Sequence, residues 1–226
     1  MIAINDWIAR KDTHFMTSPL TPTLHYFHDP MCSWCWGYRP TWRALQSHLP
    51  DSVVVVYQLG GLAPDTDEAM PAEMRQHLEQ IWQRIHLQLG TEFNFDFWRH
   101  CTPRRSTYPA CRAVIAAQAQ GQELEMILAI QQAYYLSALN PSNDDTLIAL
   151  AESLALDIPQ FIKELNAPQT QQKLIAQVEL ARRWQVPGFP SLVLEVAGEV
   201  VHLPIDYKDY RPPIDKINAV LAQTQD

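Results

Sequence analysis

The sequence predicts a mixed α/β fold in which a β-α-β unit near the start and a β-β-α unit at the end enclose a long helical insertion. Two short runs, 24–28 (LHYFH) and 53–59 (VVVVYQL), are rich in the aromatic and β-branched residues that suit strands. Between about 69 and 184 the apolar residues recur instead at steps of three and four, the period of a helix buried on one face. From 191 to 203 two apolar runs flank Ala197-Gly198, as the strands of a hairpin flank their turn. At 226 residues, 47% of them hydrophobic, the chain is long enough to bury such a core.

Taken in order, residues 1–22 end in Thr17-Ser-Pro-Leu-Thr-Pro22, with two prolines and little to bury, and read as a loosely packed arm. The strand at 24–28 is stopped by Asp29-Pro30, because the residue before a proline is pushed out of helical geometry. From Ser33, residues Trp36, Pro40, Leu45 and Leu49 are spaced as on a helix, with a kink expected at Pro40, and Pro50-Asp51 ends it. The run 53–59 is continuous rather than alternating and closes on Gly60-Gly61, which predicts a strand buried on both faces.

The helical signals that follow are Met74, Leu78, Ile81, Ile85 and Leu89, then 110–119 and 123–139. Next come a helix through Leu154 that Asn143 or Ser142 can cap, another opened by Ile158-Pro159, and a long one over 169–184. Val186-Pro-Gly-Phe-Pro190 breaks this last helix, strands follow at 191–196 and 199–203, and Ile214, Ile217, Val220 and Leu221 make a C-terminal helix after Pro212-Pro213. This order is that of a thioredoxin-like core, residues 23–62 and 185–226, interrupted by an all-helical domain over 63–184.

The formal net charge is -8, and no basic cluster exceeds the pairs Arg104-Arg105 and Arg182-Arg183, which argues against nucleic acid as a partner. Asp6 interrupts the N-terminal apolar residues before they reach the length of a signal-peptide core, and no apolar stretch approaches the roughly 20 residues that cross a bilayer. A soluble, cytoplasmic protein without a membrane partner is expected. In that reducing compartment four cysteines do not make a structural disulfide framework, which leaves metal binding or redox chemistry for the close pair Cys32 and Cys35.

Cys32-Ser-Trp-Cys35 places two sulfurs one helical turn apart, so a disulfide can close locally if Cys32 lies at the helix start. Free N–H groups and the helix dipole favour an anion there, which makes Cys32 the expected nucleophile and Cys35, further in, the shielded resolving thiol. The same spacing is half of a zinc site, but no second half is present: Cys101 and Cys111 stand apart, and His25 and His28 point to opposite faces of their strand. No metal is expected, and Cys111 reads as a small apolar residue of an ordinary helix.

The strand, the Asp-Pro stop, the dithiol at a helix start and Gly188-Phe189-Pro190 before the hairpin together resemble the DsbA family of thioredoxin-fold proteins. The resemblance covers most of 24–222, and the run Asp29-Pro30-Met31-Cys32-Ser33-Trp34-Cys35-Trp36-Gly37-Tyr38 is most similar to its cytoplasmic, FrnE-like branch. Gly60-Gly61-Leu62 and the segment 144–157 match as well. The resemblance implies a cis Phe189-Pro190 bond facing the dithiol, with the Phe189 backbone free to pair with an extended substrate. It also implies thiol-disulfide oxidoreductase activity with no bound cofactor, protein or small-thiol disulfides as substrates, and the cytosolic glutathione and thioredoxin pool as redox partners.

Two departures bear on the chemistry. Exported oxidases of the family carry a His between the cysteines and a buried acid behind them, whereas here Trp34 and Tyr26 hold those positions. The Cys32 thiolate thereby loses a stabilising partner, and a less oxidising couple than DsbA is expected. Among the neighbours, Trp34 is the best exposed substrate contact, while Trp36 and Tyr38 fit a helix core equally well. Asp29 and His28 are the candidates for a proton relay to Cys35, against ordinary roles as a turn residue and a buried histidine. Two other readings are a glutathione-dependent isomerase or transferase of the related kappa-class type, which carries Ser where Cys32 stands, and a peptide-binding holdase with the dithiol as redox latch or zinc clamp.

Overall fold

The computed structural model describes residues 21–223, so the arm expected over 1–22 lies outside it save for its last two residues. The elements run β1 (Thr23–His28), α1 (Ser33–Gln46), β2 (Val54–Leu59), α2 (Ala72–Leu89), α3 (Phe97–His100) and α4 (Tyr108–Gln118). They continue with α5 (Glu123–Tyr135), α6 (Asp144–Ser153), α7 (Ile158–Leu165), α8 (Pro168–Arg183), β3 (Ser191–Val196), β4 (Glu199–Leu203) and α9 (Arg211–Gln223). One four-stranded sheet has the order β2-β1-β3-β4. Strand β1 runs parallel to β2, as a crossover through α1 requires, and antiparallel to β3, with Tyr26 level with Tyr57 on one side and Leu192 on the other.

Alternation along β1 divides its side chains between two covering layers. Leu24 and Tyr26 pack with Tyr38, Trp42 and Leu45 of α1 and Ile217 and Val220 of α9. Phe27 turns to the opposite face, where Ala181 of α8 and the half-buried Trp184, Val186 and Phe189 meet it. The last helix of the insertion thus serves as the second layer of the sheet. A larger core, built on Ala110 to Ala117 of α4 with Met126, Ile130, Leu147, Phe161 and Leu174, holds the insertion together and reaches Leu59 of β2. An aromatic cluster around Trp82, Phe97, Trp98, Tyr134 and Tyr135 packs against Met31 and Trp36 and ties the insertion to the start of α1.

Two expectations need correction. Strand β2 is not buried on both faces: it forms an edge of the sheet, Val54 is 49% exposed, and only Gln58 and Leu59 are buried. A run of valines also suits an edge strand half covered by helices, and continuity alone does not separate the two cases. Helix α1 carries Pro40 inside it and runs on to Gln46, because packing of its apolar face outweighs one lost backbone hydrogen bond. Asn143 occupies the N-cap of α6 without a side-chain cap bond, and Ser142 instead donates to the carbonyl of Ser106 in α4's approach loop.

Candidate active site

The chain turns sharply between β1 and α1, and the turn is fixed from below by one carboxylate. Asp29 is fully buried; its Oδ1 accepts from the Met31 N–H at 2.8 Å, and its Oδ2 accepts from the Leu62 N–H at 2.8 Å and the Thr107 hydroxyl at 2.7 Å. The Cys111 thiol approaches the same oxygen at 3.6 Å. Burial pushes the Asp29 carboxyl above the usual range, and the donors oppose that rise without cancelling it. The buried acid that residue 26 lacks is therefore supplied three residues later, bridging the dithiol turn to the insertion.

Cys32 is the N-cap of α1: its backbone is extended and its N–H is held by the Asp29 carbonyl at 2.9 Å. Its Sγ accepts from the Cys35 N–H at 3.4 Å, the contact through which a helix start stabilises a thiolate. Cys32 is 6% exposed and Cys35 1%, and neither is bridged to another cysteine. Burial drives the Cys35 thiol well up, and the hydrogen bond and charge of Cys32 add to the rise. One sulfur sits at the mouth and its neighbour is kept protonated inside, an asymmetry suited to attack by the first and resolution by the second.

The loop 187–190 closes over this pair. The Phe189-Pro190 bond is cis, and the Phe189 carbonyl lies 3.4 Å from Cys32 Sγ. Phe189 keeps that position by laying its ring on Gly60: a Cβ at residue 60 would come within 2.2 Å of the ring. Gly60 thus does more than end β2. Replacing it with alanine must displace the ring that seats the loop beside Cys32, so Gly60→Ala should lose about tenfold in kcat/KM toward a protein disulfide while costing about 1–3 kcal/mol of stability. Steady-state turnover beside urea denaturation checks this; unchanged turnover would show that Phe189 can move freely.

The remaining sequence candidates fall in distinct places. Trp34 is half-buried and meets Tyr207 at 5.1 Å between ring centroids, beside the dithiol mouth. Tyr38 is fully buried, while Trp36 stacks on Tyr135 and donates from Nε1 to the Glu92 carbonyl, so both build the support of the site. His28 shares its strand face with Tyr26, stacked at 5.2 Å, and burial lowers it to about 3, which keeps it neutral. His25 lies on the opposite face against Glu195 and Trp184. Among the described residues no group of three or more His, Cys, Asp or Glu is placed to hold a metal ion.

A family model described as thioredoxin matches residues 25–200. The chain belongs to the thioredoxin family. Similar solved structures within this fold include a disulfide isomerase and a disulfide reductase. A proposed protein disulfide isomerase from Nitrosomonas europaea superposes with a TM-score of 0.78 at 25% identity, covering 90% of this chain and 98% of that one. The cytosolic disulfide reductase DsbM from Pseudomonas aeruginosa gives 0.69 at 26% identity with the same coverage, and DsbM has also been solved with GSH. The matches do not single out the FrnE-like branch. The ClpXP adapter protein SpxH of Bacillus subtilis is 24% identical over 173 residues, which is 75% of this chain but 56% of SpxH. No helix among the described residues is long and apolar enough to cross a membrane.

Sequence reasoning missed the partners of Asp29. Thr107 and Cys111 lie 78 and 82 residues away, and no local signal marks either as its neighbour.

Proposed function

We propose that this thioredoxin-family chain is a thiol-disulfide oxidoreductase of the cytosol that reduces or isomerises disulfides through Cys32 and Cys35. The observation that carries the reading is the Cys32 sulfur set at the N-cap of α1 and 3.4 Å from the Phe189 carbonyl, with Cys35 one turn behind. A cleft of about 410 Å³ beside Gly188, Phe189 and Ser191 offers room for an extended peptide alongside that carbonyl.

In the reducing direction, the Cys32 thiolate attacks one sulfur of the substrate disulfide, and the other sulfur leaves as a thiolate. Cys35 then loses its proton and attacks Cys32 Sγ, so the mixed disulfide breaks, the second substrate thiol leaves and a Cys32-Cys35 disulfide remains. Two glutathione thiols, or one protein dithiol, return the pair to the reduced form and are themselves oxidised. The solved complex of DsbM with GSH and the cytosolic setting named for DsbM support glutathione as that partner.

Asp29 suits the proton transfer at Cys35 better than His28, because a carboxyl raised by burial holds and releases a proton nearer neutral pH than an imidazole lowered to about 3. The test is capture. With Cys35→Ala the mixed disulfide on Cys32 cannot be resolved internally, so adducts accumulate in cells and can be identified; in Asp29→Asn the wild-type dithiol should release the same adducts about 10-fold or more slowly. An empty trap would remove protein disulfides as substrates, and unchanged release would remove Asp29 from the proton path.

A further inference from the structure

Behind the dithiol lies a cleft that thiol exchange does not use. About 260 Å³ in volume, it opens between α1, the paired strands β1 and β2, and α5 of the insertion, with Cys35 at its inner end. An apolar cavity of roughly 150 Å³ takes a benzene ring, so this one holds a ring and a polar substituent.

Its polar lining is richer in unused donors than in acidic groups, the one carboxylate being Glu125, exposed on α5. The Tyr57 hydroxyl already accepts from Trp42 Nε1 at 3.0 Å and from Gln46 Nε2 at 3.1 Å, so its own proton must point elsewhere, and no described residue accepts it. His28 is 1% exposed, and its Nε2 is buried without a partner. The Gln131 amide, 5% exposed, makes no side-chain hydrogen bond among the described residues. Arg39 and Arg43 also line the cleft, and no carboxylate among the described residues lies within ion-pair distance of either; Arg39 makes only a cation–π contact with Trp36. Leaving such groups unpaired is costly, and donors converging on an apolar pocket at a domain junction are the usual marks of a ligand site.

We infer that this cleft binds a small organic carboxylate with a flat apolar body. The carboxylate oxygens accept from Tyr57 of β2 and Arg39 of α1, which both line the cleft, and the apolar body lies against Leu124, Ile127 and Leu128 of α5. Two cations and a hydroxyl proton outweigh the exposed Glu125 carboxylate and select an anion over a neutral ligand, and the largely apolar wall selects an aryl or alkyl acid over an inorganic ion. The site does not depend on the dithiol reaction, so its test stands if the proposed activity fails.

The experiment uses the whole protein with benzoate and its neutral analogue benzamide as probes, read by calorimetry and by amide shifts in NMR. Benzoate should bind saturably, with shifts centred on Tyr57 and Gln131, and benzamide at least about tenfold more weakly, the difference expected for charge-assisted hydrogen bonds. Arg39→Gln should remove that preference, and Leu128→Trp should fill the cleft and abolish binding while circular dichroism stays unchanged. No saturation at millimolar benzoate, equal binding of the two probes, or binding that survives Leu128→Trp would each overturn the assignment.

Discussion

Cys32→Ser is expected to lower disulfide turnover by at least about 10³-fold, because a serine hydroxyl at the N-cap cannot form the mixed disulfide on which every later step depends. The loss should be chemical rather than structural. A serine is a preferred N-cap and can take the same bond from the Cys35 N–H that Cys32 Sγ accepts at 3.4 Å, so the thermal midpoint should stay the same or rise. Cys35→Ala should lose overall turnover too while still forming adducts on Cys32, and this difference separates attack from resolution. Insulin reduction followed beside thermal unfolding gives both numbers. Residual activity in Cys32→Ser within about tenfold of the parent would move the chemistry to another cysteine.

The second large effect concerns acid stability. His28 is buried between Tyr26 and Tyr57, and burial lowers it to about 3, whereas the unfolded chain holds it near 6.5. Between those values the unfolded state binds a proton that the folded state does not. Stability supplied by the neutral imidazole is therefore complete above about 6.5 and is lost as pH falls toward 3. Between pH 7 and 4.5 this should cost about 2–3 kcal/mol.

Asp29 works in the opposite sense, since its raised carboxyl keeps a proton in the fold that the unfolded chain gives up, favouring the folded state as pH falls. His28→Phe isolates the first contribution: it keeps the ring stack, removes the unpaired Nε2, and leaves Asp29 in place. Urea denaturation at the two pH values should show the variant losing about 2 kcal/mol less than the parent. Parallel losses would mean that another group governs the acid limb.

Local chemistry made much of this protein legible. The hairpin at 191–203 appears at the residues its turn and apolar runs mark, and the Cys32-Ser-Trp-Cys35 spacing places the first sulfur at a helix start, because both depend on contacts within a few residues. What failed to show depends on distant contacts. The continuous valines of β2 reveal apolar character but not that the strand lies at the sheet edge, which is decided by the order β2-β1-β3-β4. Gly60 reads as the end of a strand until the Phe189 ring, 129 positions later, is found lying on it. Asp29 reads as a turn residue, and its burial under hydrogen bonds needs the Leu62 N–H after β2 and Thr107 of the insertion to be brought beneath it.

Trp34 and Tyr26 alter the two electrostatic controls of the exported oxidases, while Asp29 restores a buried acid at another position. These changes bear on the potential of the couple, and the potential reports directly on whether the pair works as a dithiol. The decisive measurement is a titration of the whole protein at pH 7 in glutathione buffers, with free thiols alkylated and each cysteine scored by mass spectrometry. The account predicts one reversible two-electron transition in which Cys32 and Cys35 are protected together, at a potential more negative than the roughly -120 mV of DsbA. A transition that pairs Cys101 or Cys111, or no reversible bond between Cys32 and Cys35, would contradict it.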